Sequence, residues 1–215
     1  MMRYLTDWLT QLAYAAGQSL RLMLVAFVIA LAFGAVLVLM RRSSIRILSG
    51  IAGVYITAIR GTPVLAQLFF IYFGLAEMGV VLSSWQAAMI GLGGNSAAYV
   101  AEIYRAGFES IPHGQIEAAR SMGLRRFQIT RLVVVPQMVT VVLPPLANQA
   151  VVLIKETSVA SLIAAPELML AAKDLASEFY MPLEIYLLAG LMYLLLAFPM
   201  SLIARWLEAR LRVER

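Results

Sequence analysis

Few residues in this 215-residue chain could carry covalent chemistry. There is no cysteine, one histidine, His113, and only Asp7 and Asp174 as aspartates. Thiol nucleophiles and Cys/His zinc sites are therefore excluded. Neither a Ser–His nor a paired-aspartate constellation for intramembrane hydrolysis can be assembled, because His113 stands alone in a basic loop. No G-x-x-x-x-G-K-[ST] stretch occurs, so no nucleotide site is expected. Catalytic and metal-binding residues are expected to be none. What remains are polar groups set in otherwise apolar stretches: Arg60, Thr62, Asn95, Tyr99, Glu102, Gln149, Lys155, Glu156, Thr157 and Ser158. Their chemistry is electrostatic, the binding or gating of a polar solute.

Each of these has a second reading. Arg60 lines a pathway or snorkels to the cytoplasmic end of its helix. Gly61 and Pro63 beside it should break the helix and free backbone carbonyls, tolerable only under protein or in a water-filled cavity. Asn95, Ser96 and Tyr99 touch substrate or bond to a neighbouring helix. The run from Lys155 to Ser158 is a gate or a helix-end anchor. Pro144 and Pro145, followed by Asn148 and Gln149, predict a kinked, partly polar helix. Glu102 or Glu156 facing a cavity would suit a cationic substrate, Arg60 or Lys155 an anionic group.

The elements that must position these groups are membrane spans. The chain is 62% hydrophobic and 13% charged, with a mean hydropathy of +0.84, where a soluble domain carries about 25% charged residues. A span needs roughly 20 apolar residues, and charged residues cut the sequence into pieces of that length. The expected spans are about 20–41, 50–76, 80–104, 132–154 and 185–205, five in all. Arg41, Arg42, Arg46, Arg105, Arg120, Arg125, Arg126, Arg131, Arg205, Arg210, Arg212 and Arg215 then fall on one side. The positive-inside rule puts that side in the cytoplasm, with the N-terminus outside and the C-terminus inside. No cleaved signal is expected at the N-terminus. Leu5, Trp8, Leu9 and Leu12 follow helical spacing, so 1–15 reads as a short interfacial helix or a frayed tail. Residues 207–215 read as a cytoplasmic tail. Small-residue spacing at Gly91, Gly94 and Ala98, and at Ala30 and Gly34, would permit close helix packing.

The cytoplasmic loop at about 109–128 is the most distinctive stretch. Pro112 suits a helix start, the following residues are good helix formers, and Gly123 is placed to end the helix with a left-handed cap. On that helix Glu117 precedes two small residues, Ala118 and Ala119, with Arg120, Arg125 and Arg126 around them. It reads as a docking knob or as an ordinary membrane-surface helix.

Glu117-Ala118-Ala119, Gly123 four residues on and Pro136 thirteen beyond it resemble the EAA loop of ABC importer permeases, E-A-A-x(3)-G-x(9)-I-x-L-P. Val133 and Val135 stand where that pattern has Ile and Leu. Arg60-Gly61-Thr62-Pro63, the stretch from Ala97 to Gly107, and Lys155-Glu156-Thr157-Ser158 resemble the polar amino acid branch of those permeases. The resemblance covers 16–206 and implies an all-α integral membrane protein of the type I ABC importer fold, five transmembrane helices with a cytoplasmic coupling helix. It further implies a multi-pass protein of the bacterial inner membrane. Contact with an ABC ATPase dimer would be carried by Glu117, Ala118, Ala119 and Arg120, with Gly123 allowing the bend and Pro136 completing the motif. The other implied partners are a second permease, identical or homologous, and an extracytoplasmic amino acid-binding protein; the substrate is a polar amino acid. This chain itself would hold no cofactor, ATP and Mg being bound by the ATPase, and nucleic acid is not expected. A binding-protein domain is not expected on the chain. The competing reading is a stand-alone secondary transporter or channel subunit, which would call for internal repeats with paired broken helices.

Overall fold

The computed structural model describes residues 2–211, with side chains from Leu5 onward, and every regular element among them is helical. In chain order these are α1 (Met2–Arg41), α2 (Arg46–Arg60), α3 (Val64–Phe69), α4 (Leu75–Glu77), α5 (Ser84–Glu109), α6 (His113–Ser121), α7 (Arg126–Ile129), α8 (Val135–Glu156), α9 (Leu168–Phe179) and α10 (Pro182–Leu211). A π turn joins α3 to α4, another joins α7 to α8, and a 3₁₀ segment, Thr157–Ile163, follows α8. Residues 212–215 of the expected tail, with Arg212 and Arg215, lie outside the described residues.

α5 is the central helix and packs most extensively on α1. The interface is built from small side chains. A Cβ on Gly34 of α1 would come within 2.7 Å of Val100 Cγ1, and one on Gly93 of α5 within 2.8 Å of Ile29 Cγ2 and 3.2 Å of the Ala26 carbonyl. Backbones approach that closely only where side chains are absent. α8 and α10 lie farther out. Leu187, Leu191, Leu194, Leu195 and Phe198 of α10 are exposed, as a lipid-facing surface requires.

One expectation is corrected. The described residues of the segment 1–15 are not a frayed tail but the first turns of α1, which runs unbroken for 40 residues, about 60 Å at 1.5 Å per residue. Trp8 and Leu12 are buried against Leu168, Ala172, Leu175 and Ile185, so half of the apolar stripe meets protein, while Leu5 and Leu9 stay exposed. Trp8 also packs edge-on against Phe179 at 5.2 Å.

The expected spans are matched in part. Leu5–Arg41, Arg126–Ile163 and Pro182–Leu211 are long and apolar enough to cross a membrane, and Arg46–Arg60 with Val64–Glu77, bent by 111°, would make a fourth. The expected fifth, α5, has 26 residues but lacks the hydropathy. It is enclosed by other helices, so glycine, alanine, Asn95 and Ser96 replace the bulky apolar residues that lipid contact would require.

Candidate functional site

The expected helix–glycine–helix unit of the loop is present. Pro112 is extended and α6 follows it for nine residues. Leu124 N–H donates to the Ala119 carbonyl at 3.2 Å and Gly123 N–H to that of Arg120 at 2.9 Å, with Gly123 at φ +79°. These are the two bonds of a Schellman cap, which only a left-handed residue closes cheaply. Ala119 is buried with Ile111, Ile129 and Val134 in a small core of the loop's own, and Leu124 packs on it. Glu117, Ala118 and Arg120 are left exposed, beside Met122 and Phe127, which are 80% and 74% exposed. The loop is therefore a supported helix presenting a small, charged surface. Pro136 sits at the start of α8, directly after the π turn Thr130–Val134. Its missing N–H and its ring, which clashes with a carbonyl four residues back, favour the wider turn.

The polar residues of the apolar stretches fall into three places. At the break after α2, Gln67 Nε2 donates to the Ile59 carbonyl at 2.9 Å, to Thr62 Oγ1 at 2.9 Å and to the Thr62 carbonyl at 3.2 Å. Asn95 Nδ2 donates to Gln67 Oε1 at 3.0 Å. The carbonyls freed by Gly61 and Pro63 are thus satisfied by a half-buried amide relay, so Thr62 and Asn95 hold the bend together. Pocket space of about 490 Å³ beside this relay is walled mainly by apolar side chains.

Nearer the expected cytoplasmic side, Arg60 lies 5.4 Å over the Tyr99 ring and 3.7 Å from Glu102. Arg105 joins Glu102 and Glu109, each at 2.7 Å. Arg60, Tyr99 and Glu102 are therefore together, but in a network with Arg105 that the sequence did not pair.

The third place is α8 and its end. Gln149 Nε2 reaches Ser96 Oγ at 3.4 Å. Thr157 is buried and bonds to the Ile154 carbonyl, and Ser158 bonds to that of Lys155, so both hydroxyls serve the turn into the 3₁₀ segment. Lys155 is exposed, while Glu156 keeps one buried carboxylate oxygen without a partner. Val141, Pro145, Asn148, Val152 and Lys155 form one exposed face of the helix.

Sequence reading missed Glu167. Only 2% exposed, it caps α9 by accepting from Met169 N–H at 2.9 Å and Leu170 N–H at 2.7 Å. It also accepts from Ser19 of α1 at 3.3 Å and Tyr193 of α10 at 2.5 Å. Burial pushes its carboxyl up, and these four donors oppose that rise. The signal available was Pro166-Glu167 before an apolar helix, a weak one because glutamate is an uncommon N-cap.

Comparison with known proteins fits this architecture. The family described as binding-protein-dependent transport system inner membrane component matches residues 26–213. The chain is 40% identical to the octopine transport system permease protein OccM of Rhizobium radiobacter, over 97% of this chain and 89% of that protein. It is 36% identical to the probable glutamine ABC transporter permease protein GlnM of Bacillus subtilis, over 87% and 89% respectively. Among solved structures, an amino acid ABC transporter crystallised with histidines superposes with a TM-score of 0.92 at 33% identity, covering 98% of both chains. The inward-facing MetNI methionine ABC transporter superposes at 0.64 and 21% identity over 96% of this chain and 99% of that one, a likeness of fold. The chain belongs to the family of inner-membrane components of binding-protein-dependent transport systems, as a permease subunit of an ABC importer.

Proposed function

We propose that this permease forms one half of an alternating-access pathway for a polar amino acid and takes its energy from a separate ATPase docked on α6. The observation that carries this reading is α6 itself. A nine-residue helix with its own core and a fixed C-cap leaves Glu117, Ala118 and Arg120 free to enter another protein's cleft. An unsupported surface helix of that length would be marginal. Five crossings are proposed: α1, the bent unit α2 to α4, α5, the helix containing α7 and α8, and α10. The N-terminus lies outside and the C-terminus in the cytoplasm. ATP and Mg belong to the ATPase, and an extracytoplasmic binding protein delivers substrate.

A second permease completes the pathway. The exposed face of α8 supports this, since Asn148 and Lys155 on it suit water or protein better than lipid. Relatives named for octopine, nopaline, glutamine, L-cystine and arginine transport support an amino acid or amino acid derivative as cargo. Exposed Lys155 offers a cation for the carboxylate of such a cargo.

Co-purification with the cognate ATPase in detergent tests the docking. Wild type is expected to retain the ATPase, with Glu117→Lys weakening retention. Gly123→Pro should abolish it, because φ +79° is closed to proline. Retention by both monodisperse variants at the wild-type level would remove α6 as the docking element. Absence of any ATPase with wild type would bring forward a stand-alone transporter.

A further inference from the structure

A cavity of about 750 Å³ opens between the end of α1, the second half of α2 and the last turns of α5. Arg41, Arg42, Arg60 and Arg105 line it against Glu102 and Glu109, which leaves two positive charges unmatched. Arg105 engages both glutamates at 2.7 Å. Among the described residues, Arg41 bonds only to the Ser49 hydroxyl at 3.1 Å and, weakly, to its carbonyl at 3.4 Å. Arg42 lies 4.4 Å over the Phe108 ring. Among the described residues, neither Arg41 nor Arg42 has a carboxylate within ion-pairing distance.

Guanidinium groups do not shed their charge, and their fork of donors matches the oxygens of a phosphate. The cavity also begins where the apolar run of α1 stops. Leu39 on α1 is 64% exposed, and Ile51 and Val54 on α2 are 56% and 71% exposed, an apolar surface on both helices that border the basic groups. Basic pockets between helices at a cytoplasmic membrane face are suited to anionic headgroups.

We propose that this cavity is a binding site for a phosphate-bearing anion, held by Arg41 and Arg42 with Arg60 at its inner end. The two sources of that chemistry are the headgroup of an anionic phospholipid and free phosphate. The site is distinct from α6 and from the exposed face of α8, so its failure would leave the proposed transport function intact.

Native mass spectrometry of the purified permease complex after exchange into phosphatidylglycerol or phosphatidylcholine distinguishes them, alongside equilibrium binding of radiolabelled inorganic phosphate. We expect phosphatidylglycerol to be retained over phosphatidylcholine at least tenfold. The double variant Arg41→Gln/Arg42→Gln should lose that preference, and Arg41→Lys/Arg42→Lys should restore part of it. Arg205→Gln/Arg210→Gln, which removes equal charge from α10, should leave it unchanged. Phosphate binding without lipid preference, lost in the same glutamine variant, assigns the site to the free ion. If the double glutamine variant elutes as a single species and binds both probes as wild type does, the proposal is overturned. It is equally overturned if wild type binds neither, or if the α10 variant loses as much as the cavity variant.

Discussion

Gly123 shows how far one residue's backbone decides the form of the loop. Nothing lies within 4 Å of a Cβ placed there, so Gly123→Ala meets no clash and pays only for the left-handed backbone. That cost is about 1 kcal/mol. It should appear locally, as hydrogen exchange of the α6 amides about fivefold faster than in wild type. Unchanged exchange would mean the cap does not limit opening of the helix. This residue was legible in the sequence because a glycine after a run of helix formers has one common use. Glu167 was not, because its meaning lies in Ser19, 148 positions away, and in Tyr193, 26 positions away. Thr62 and Asn95 were legible as unusual, and their partner Gln67 shows the purpose, which is to satisfy carbonyls that a broken helix exposes inside an apolar medium.

At the scale of elements, helix contacts were less legible than helix existence. Small residues recur around α5, so their spacing announces close packing without saying which face meets α1. The expected Gly91 and Gly94 do admit close neighbours, Leu68 of α3 and Tyr55 of α2, whereas the contact to α1 runs through Gly93, Ala97 and Val100. On α1 the expected Ala30 and Gly34 do lie at it. The face matters energetically. Gly93→Ala forces a methyl against the Ala26 carbonyl, which cannot rotate away, and is expected to destabilise the purified protein by about 1–3 kcal/mol. Gly190→Ala in α10 has open space around it and should instead stabilise the helix by about 0.5–1 kcal/mol. Thermal unfolding in one detergent compares the two directly. Equal shifts of one sign would show that the α1–α5 contact is looser than its geometry. The bend after α2 was legible from Gly61 and Pro63. Its 111° angle was not, because that depends on where α5 offers Asn95.

For the whole molecule, orientation is the property that charge placement predicts and that helix geometry must then respect. α1 and α5 run parallel: Ile29 meets Gly93 and Gly34 meets Val100, so both helices pass from one face to the same opposite face. α6 lies directly after α5, on the side where Arg41 and Arg42 end α1. The turn between α9 and α10 lies beyond the far end of α8, and there Lys173 is accompanied by Asp174, Glu178 and Glu184. The positive-inside rule counts basic residues, and it predicts the α6 side in the cytoplasm with the α9–α10 turn outside. The absence of native cysteine makes this measurable without background. Met122, 80% exposed beside α6, and Tyr180, 89% exposed between α9 and α10, are each replaced by cysteine. Both variants are treated with a membrane-impermeant maleimide in intact spheroplasts and in inverted vesicles. Tyr180→Cys should label only in spheroplasts and Met122→Cys only in inverted vesicles. The reverse pattern would put α6 on the outer surface, where no ATP-hydrolysing partner could reach it. Labelling of both sites from one side would give the chain an even number of crossings between them, and would remove the α7–α8 helix from the set of spans.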